Sequence, residues 1–129
     1  MTPQIPSDPI YRSGERWKYK APPGQEESRL VVLGAEDHEL VGWVIHISVE
    51  GLRIPAPKMK GGFVTELMHL PMSLVSFEKS LLAEDKARFR PIEFPNQGYE
   101  VWKANRGSAW DVPVGDVVKM MAGFYSEED

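Results

Sequence analysis

Apolar and polar residues alternate along several stretches of the N-terminal half, and this pattern is typical of β-strands with one buried face. Trp17 and Tyr19 alternate with charged residues, so an extended chain places both aromatic rings on one face. Ile45, Ile47 and Val49 form a second alternating series. The predicted strands are residues 15–20, 29–35 and 41–49, with a short fourth strand at 52–54.

Proline and glycine mark the connections between these strands. Pro22-Pro23-Gly24 predicts the first reversal, because proline fixes φ and glycine adopts conformations that other residues avoid. Glu50-Gly51 predicts a second turn, and Pro55 with Pro57 ends the fourth strand. Residues 58–62 contain two lysines and a glycine pair, which indicates a mobile loop that joins the sheet to a helical half.

Helical spacing of the apolar residues predicts three helices after this loop. Ser73 is the expected N-cap of a helix that runs to about Ala83, with Met72 and Phe77 placed for a hydrophobic staple. A short helix around Trp102 follows an irregular, proline-bracketed link. The face of this short helix includes Tyr99, and Gly107 is its expected end. The last helix is predicted to open at Pro113 and to bury Val114, Val117, Val118 and Met121.

These elements predict an α+β fold. Its N-terminal half is an antiparallel β-meander of three or four strands, either open or curled toward a barrel, and about three C-terminal helices cover one face. A short strand at Trp110 is a further candidate for the sheet. The length of 129 residues fits one domain with one core. We expect a domain at residues 10–125, between a flexible arm at 1–9 and an acidic tail at 126–129.

The composition restricts the classes of partner and the compartment. The chain has no cysteine, so disulfides and thiolate metal sites are excluded and a cytoplasmic location is expected. It also has no apolar run of about 18 residues, which argues against membrane insertion. The formal net charge of −4 argues against nucleic acid as the partner.

Several stretches resemble a family of small, functionally uncharacterised bacterial proteins. The residues that carry this resemblance are those at 14–20 (GERWKYK), 46–52 (HISVEGL), His69-Leu70-Pro71 with Ser73 and Ser80, Gly98-Tyr99 with Trp102, and 114–121. The resemblance covers most of the chain from Tyr11 onward, and the sequence departs from it between Trp102 and Trp110, where it is shorter. It implies one fold and carries no activity, cofactor or substrate with it.

Histidines are the first candidates for acid–base chemistry, because their unperturbed pKa lies near neutrality. His46 and Ser48 share one face of the third predicted strand, and His69 lies just before the first helix. We therefore expect His46, Ser48 and His69 to form a polar cluster, which either lines a catalytic or ligand site or is a structural cluster beneath a helix. His38 lies in a polar stretch and is expected to face solvent.

A metal site is not expected. Glu66 and His69 have the i, i+3 spacing of carboxylate-bridged metal helices, which requires both residues to lie on one helix. Pro71 argues against that helix, because proline disfavours helical geometry in the residue before it. The chain also has no phosphate-loop or nucleophile-elbow motif, so neither a metal nor a cofactor is predicted.

Two groups of basic residues are candidate binding surfaces. Arg16, Lys18 and Lys20 lie on one face of the first strand, where they either hold phosphate or protect a sheet edge from pairing with another sheet. The second group lies in or near the loop after the sheet and is the predicted ligand-binding or partner-binding surface. It consists of Arg53, Lys58 and Lys60.

Two hypotheses about function follow. The first is a protein-binding or adaptor module without catalytic activity, whose partner is another protein or a second copy of this chain. The alternative is an enzyme or small-ligand-binding protein that uses the His46 and His69 cluster. The sequence favours the first, because no catalytic motif is present.

Overall fold

The computed structural model describes four segments of the chain: residues 11–38, 42–85, 97–104 and 108–126. The predicted N-terminal arm, most of the acidic tail, the proline-bracketed link and Gly107 lie outside these segments. Within the described segments, no helix is long and apolar enough to cross a membrane.

The described strands form one antiparallel sheet with the order β4-β3-β2-β1-β5. The first four strands follow one another along the chain as a meander, and β5 returns to pair with β1. The predicted α+β fold with an antiparallel meander is therefore confirmed, and the sheet is open. The strands are β1 (Arg16–Tyr19), β2 (Arg29–His38), β3 (Gly42–Pro55), β4 (Phe63–Ser73) and β5 (Leu81–Glu84).

The third strand is longer than its sequence pattern indicates. The predicted third and fourth strands are one continuous strand, β3, which passes through Gly51 with a positive φ of 76° and an irregular register between Glu50 and Ile54. Glycine suits this position, because a Cβ there would also lie 3.1 Å from the carbonyl oxygen of Glu27. The predicted turn at Gly51 is thus an irregularity within a strand.

The loop at residues 58–62 has a different role from the predicted one. It belongs to the hairpin turn between β3 and β4, closed by hydrogen bonds from Ala56 N–H to Gly62 oxygen and from Gly62 N–H to Met59 oxygen, both 2.9 Å. The chain continues from it into β4, an eleven-residue strand, before any helix begins. The prediction that this loop leads directly to the helical half was wrong.

Three helices follow β4 in the described segments: α1 (Leu74–Ser80), α2 (Gln97–Ala104) and α3 (Val114–Ser126). Ser73 is the N-cap of α1, as predicted, and its Oγ accepts a hydrogen bond of 3.2 Å from the Ser76 N–H. Helix α1 ends three residues before the predicted end at Ala83, because the next residues pair with β1 as β5. Trp110 forms an isolated bridge with Met72, which accounts for the predicted short strand.

The main core lies on one face of the sheet, beneath α1 and α3. Ile45 and Ile47 of β3 are fully buried there, in one cluster with Phe77 of α1 and Val117 of α3. Helix α3 starts close to the end of β1, since a Cβ on Gly115 would lie 2.5 Å from the Lys20 carbonyl oxygen. A glycine is therefore needed at this contact between backbones.

Helix α2 covers the opposite face of the sheet. Successive side chains of a strand point to opposite faces, so His46 lies on the face away from Ile45 and Ile47. The ring of Trp102, on α2, is 4.6 Å from the His46 ring between centroids. The expectation that all helices cover one face was wrong, because Tyr99 and Trp102 of α2 pack on His46, on the face opposite the main core.

Candidate functional site

The structure brings His46 and His69 together. His46 lies in the middle of β3 and is fully buried, whereas His69 lies on β4 and is partly exposed. Nδ1 of His46 is 2.8 Å from Nε2 of His69, and the two rings are nearly parallel, with centroids 5.0 Å apart. These two adjacent strands place the two imidazoles in direct hydrogen-bond contact.

Glu36 extends this contact into a chain of three side chains. It lies on β2, and its Oε1 is 2.9 Å from Nε2 of His46. A carboxylate only accepts hydrogen bonds, so the proton of His46 lies on Nε2 and its Nδ1 is the acceptor of the His69 Nε2–H. The lone pair of His69 is then on Nδ1, which forms no hydrogen bond to the described residues.

Two aromatic side chains of α2 cover the histidines. Tyr99 and Trp102 meet the His46 ring edge to face, with centroid distances of 5.1 Å and 4.6 Å. Tyr99 donates a hydrogen bond to Glu36, and Trp102 Nε1 donates one of 2.5 Å to the carbonyl oxygen of Ser108. The side chains of α2 therefore form hydrogen bonds both with the cluster and with the segment that precedes α3.

Burial makes the cluster resist protonation. Desolvation is the main cause that lowers the pKa of His46, although the hydrogen bond and charge of Glu36 act in the opposite direction. Desolvation and the proximity of His46 together lower the pKa of His69 to about 4. Burial, with a smaller effect of Glu36, raises the pKa of Tyr99. Both imidazoles are consequently neutral at pH 7, in agreement with the hydrogen-bond directions above.

Ser48, the third predicted member of the cluster, does not join it. Its side chain is buried on β3 but forms no hydrogen bond with either histidine. Glu66 lies with His69 on β4, so this pair does not have the helical geometry that the metal spacing requires. Within the described segments, no group of three side chains is arranged to hold a metal ion.

The predicted basic surface lies at the β3–β4 hairpin, away from the histidines. The guanidinium carbon of Arg53 is 4.5 Å from the centre of the Phe63 ring, and Lys58 and Lys60 are exposed in the turn. The structure shows where these residues lie, and their role as a binding surface stays a prediction.

The basic residues of β1 do not protect a sheet edge. Strand β1 lies between β2 and β5, with partners on both sides. Arg16 forms an ion pair of 2.7 Å with Glu50 on β3. The edge-protection interpretation was therefore wrong, and Lys18 and Lys20 are the exposed residues of this row.

Glu36 is the residue of the cluster that the sequence interpretation missed. It lies just beyond residue 35, the predicted end of the second strand, whereas β2 continues to His38 and pairs there with β3. The pairing of β2 with β3 could have identified Glu36. Gly34 lies opposite His46, so Glu36, two residues after Gly34, lies on the same face of the sheet as His46. Tyr99 and Trp102 were predicted on one face of a short helix, but their contact with His46 was not predicted.

Comparison with known proteins assigns no family to the chain. No family model matches it, and no match was found among curated proteins or solved structures.

Proposed function

We propose that Glu36, His46 and His69 form an acid–base site, in which Nδ1 of His69 accepts a proton from a small-molecule substrate. The observation that carries the proposal is the hydrogen-bonded chain from the Glu36 carboxylate to His69. This chain fixes the tautomer of both rings and leaves Nδ1 of the partly exposed His69 without a hydrogen bond to the described residues.

His69 is the proton acceptor in this mechanism, and the other two residues position it. When a proton bonds to Nδ1 of His69, the proton on its Nε2 moves to Nδ1 of His46. The positive charge then lies on His46, beside the Glu36 carboxylate. A carboxylate that holds an imidazole in one tautomer and stabilises the imidazolium is an established arrangement in hydrolytic enzymes.

The surroundings favour proton transfer over covalent catalysis. The chain has no cysteine, and no serine or threonine hydroxyl of the described segments forms a hydrogen bond with His69. Covalent catalysis by an activated hydroxyl requires such a contact between nucleophile and base. Removal of a proton from a substrate requires only the base and access to it.

The test uses 5-nitrobenzisoxazole, a general probe of protein bases. The base removes the carbon-bound proton, the ring N–O bond breaks, and the electron pair passes to oxygen, which gives a coloured cyanophenolate. We expect a rate above the buffer background that is lost in His69→Gln and reduced in Glu36→Gln. His38→Gln is the matched control, because it replaces a histidine to which the proposal gives no role, and it should keep the full rate.

The pH profile distinguishes this base from an ordinary surface histidine. Since the pKa of His69 is about 4, the rate should stay level from pH 8 to about pH 5 and decline only below it. A surface histidine loses its activity through its usual pKa of about 6.5. A rate equal to the buffer background, or a loss of rate in His38→Gln, would rule out the proposal.

The second candidate is a binding module that pairs with another copy of itself through β4. Within the described segments, β3 is the strand that pairs with β4, and Trp110 bridges the outer side of β4 only at Met72. Met68, farther along β4, is 62% exposed. Exposed strand edges with apolar side chains favour association. Sedimentation equilibrium should then show a dimer that Met68→Lys dissociates, whereas Met120→Lys on α3 should not. A wild-type monomer at all concentrations would exclude this candidate.

Under both candidate functions, the protein acts in the cytoplasm. The support for this location is the cysteine-free sequence, which needs no oxidising compartment to fold. Neither candidate includes nucleic acid as a partner, in keeping with the negative net charge.

A further inference from the structure

A second region, separate from the histidine cluster, combines positive charge with an open cleft. The cleft has a volume of about 400 Å³ and lies where β1, β2 and β5 meet. Its volume is within the range of small-ligand sites. The lining residues are Lys18, Tyr19, Lys20, Ala21, Glu26, Arg29 and Leu82.

The charge of this cleft is positive, although the chain as a whole is negative. Lys18 and Lys20 are exposed and form no ion pair with the described residues. Arg29 is partly neutralised, since its Nε is 3.3 Å from the Asp85 carboxylate. Glu26 is the acidic residue of the lining, so the two lysines supply the free positive charge.

These lysines are not explained by protection of an edge strand. Strand β1 lies between β2 and β5, so Lys18 is on an inner strand of the sheet. Lys20 follows directly after β1, and its N–H donates a hydrogen bond to the Ser80 carbonyl oxygen. Their ammonium groups are free to contact an anion, and each has three donors for phosphate oxygens.

The cleft also contains an exposed apolar side chain. Leu82 of β5 is 63% exposed, the largest exposure of any large apolar side chain in the described segments. A lone apolar side chain at the surface needs no explanation by itself. Beside two free lysines in a cleft, however, it gives a surface for the apolar part of an anionic ligand.

We propose that this cleft binds a small phosphate monoester with an apolar substituent. Lys18 and Lys20 contact the phosphate, and Leu82 contacts the substituent. This site is independent of the proposed acid–base function, because none of its residues belongs to the histidine cluster.

Isothermal titration calorimetry with three probes tests the proposal: phenyl phosphate, inorganic phosphate and phenol. Phenyl phosphate should bind more tightly than inorganic phosphate by about fivefold, the ratio expected from burial of part of an apolar ring. Phenol, which has no phosphate, should give no measurable heat at the same concentration.

Three variants separate the two contacts from general electrostatics. Lys18→Gln with Lys20→Gln should weaken binding of both phosphates by about tenfold, since two charge-assisted contacts are lost. Leu82→Ser should reduce the affinity for phenyl phosphate to that for inorganic phosphate. Lys79→Gln with Lys119→Gln is the matched control, because it removes the same charge from exposed positions on α1 and α3.

The same variants define the results that would overturn the proposal. All the substitutions are at exposed positions, so circular dichroism should show folded variants. If the cleft pair and the control pair weaken phosphate binding equally, net charge alone explains the effect, and the proposal is overturned. Phenyl phosphate and inorganic phosphate with equal affinities, or no heat from either, would also overturn it. Weakening by Lys58→Gln with Lys60→Gln alone would place the anion at the β3–β4 hairpin instead.

Discussion

The two faces of the sheet are stabilised by different kinds of interaction. On one face, Ile45 and Ile47 of β3 pack against Phe77 and other apolar side chains of α1 and α3. On the other face, His46 of the same strand is bonded to Glu36 and His69 and covered by α2. Successive residues of β3 thus belong to two chemically different environments.

This difference has a direct energetic consequence. The apolar face gains its free energy from burial, which does not depend on the protonation state of any group. The histidine face buries polar groups whose desolvation is offset only while their hydrogen bonds are complete. The apolar face should therefore supply most of the stability, and the histidine face should make that stability depend on pH.

The largest effect is expected on the apolar face. Phe77 is fully buried, and Phe77→Ala should lower the free energy of unfolding by about 3–5 kcal/mol, because it removes the ring and leaves a cavity. Urea denaturation at pH 7 and pH 5 measures this loss, which should be the same at both values. Val75→Ala is the control, since Val75 is exposed on the same helix and its truncation should cost less than about 0.5 kcal/mol.

The second largest expected effect is the pH dependence that the histidine face gives to the stability. His69 has a pKa of about 4 in the folded state, against an ordinary value of 6.5, so the unfolded chain binds more protons between these values. Stability should therefore be complete above pH 6.5 and fall as the pH approaches 4. The loss from His69 should be about 2–3 kcal/mol, because one pKa unit corresponds to 1.36 kcal/mol and partial exposure reduces the effect.

The double variant His46→Leu with His69→Leu removes the titration of both histidines and so measures their share of this loss. The ionisable groups that face the pair are Glu36 on β2 and Tyr99 on α2, with Glu100 also acting on Tyr99. These groups stay in the variant, where Glu36 keeps the Tyr99 hydrogen bond, so the difference between the two pH curves reports the histidines together with their effect on Glu36. Parallel curves between pH 6.5 and pH 4 would contradict the assignment, as would NMR titrations of both histidines near the ordinary pKa.

Replacement of one histidine alone should lower the free energy of unfolding by more than the change in side-chain size indicates. His46→Leu leaves the His69 Nε2–H without an acceptor and reduces the hydrogen bonds of Glu36 to the one from Tyr99, and we expect a loss of about 1–3 kcal/mol at pH 7. The double variant should recover part of this loss, because the donor on His69 is then removed as well. Equal stability of His46→Leu and the wild type would show that the hydrogen-bond chain contributes nothing to the fold.

The sequence predicted the meander well because β1 and β3 alternate in polarity and β2 begins with a run of Leu and Val. It did not predict β4. This strand contains Pro71, its exposed side chains are both polar and apolar, and it lies at the end of the sheet away from β2. It extended α1 into β5 because Leu81 continues the helical spacing, and only pairing with β1 ends the helix there. Tertiary contacts decided both segments.

The candidate site was predictable in part, for the same reason. The contact between His46 and His69 follows from a chain that returns to the same sheet, and the structure shows it. Glu36 was not predicted, because a run of polar residues resembles a loop unless its pairing with β3 is known. The role of α2 depends on packing between distant segments, which a local pattern does not contain.

The smallest effect tests whether α1 depends on its own cap or on the core beneath it. Ser73→Ala removes the oxygen that accepts the Ser76 N–H, and N-cap losses of this kind cost about 1 kcal/mol. Ser73→Thr keeps an acceptor and should restore most of the stability in urea denaturation. If packing of Phe77 holds the helix, the loss in Ser73→Ala should stay well below that of Phe77→Ala and should not change between pH 7 and pH 5. A loss as large as that of Phe77→Ala would mean that the cap, and not burial, controls the apolar face.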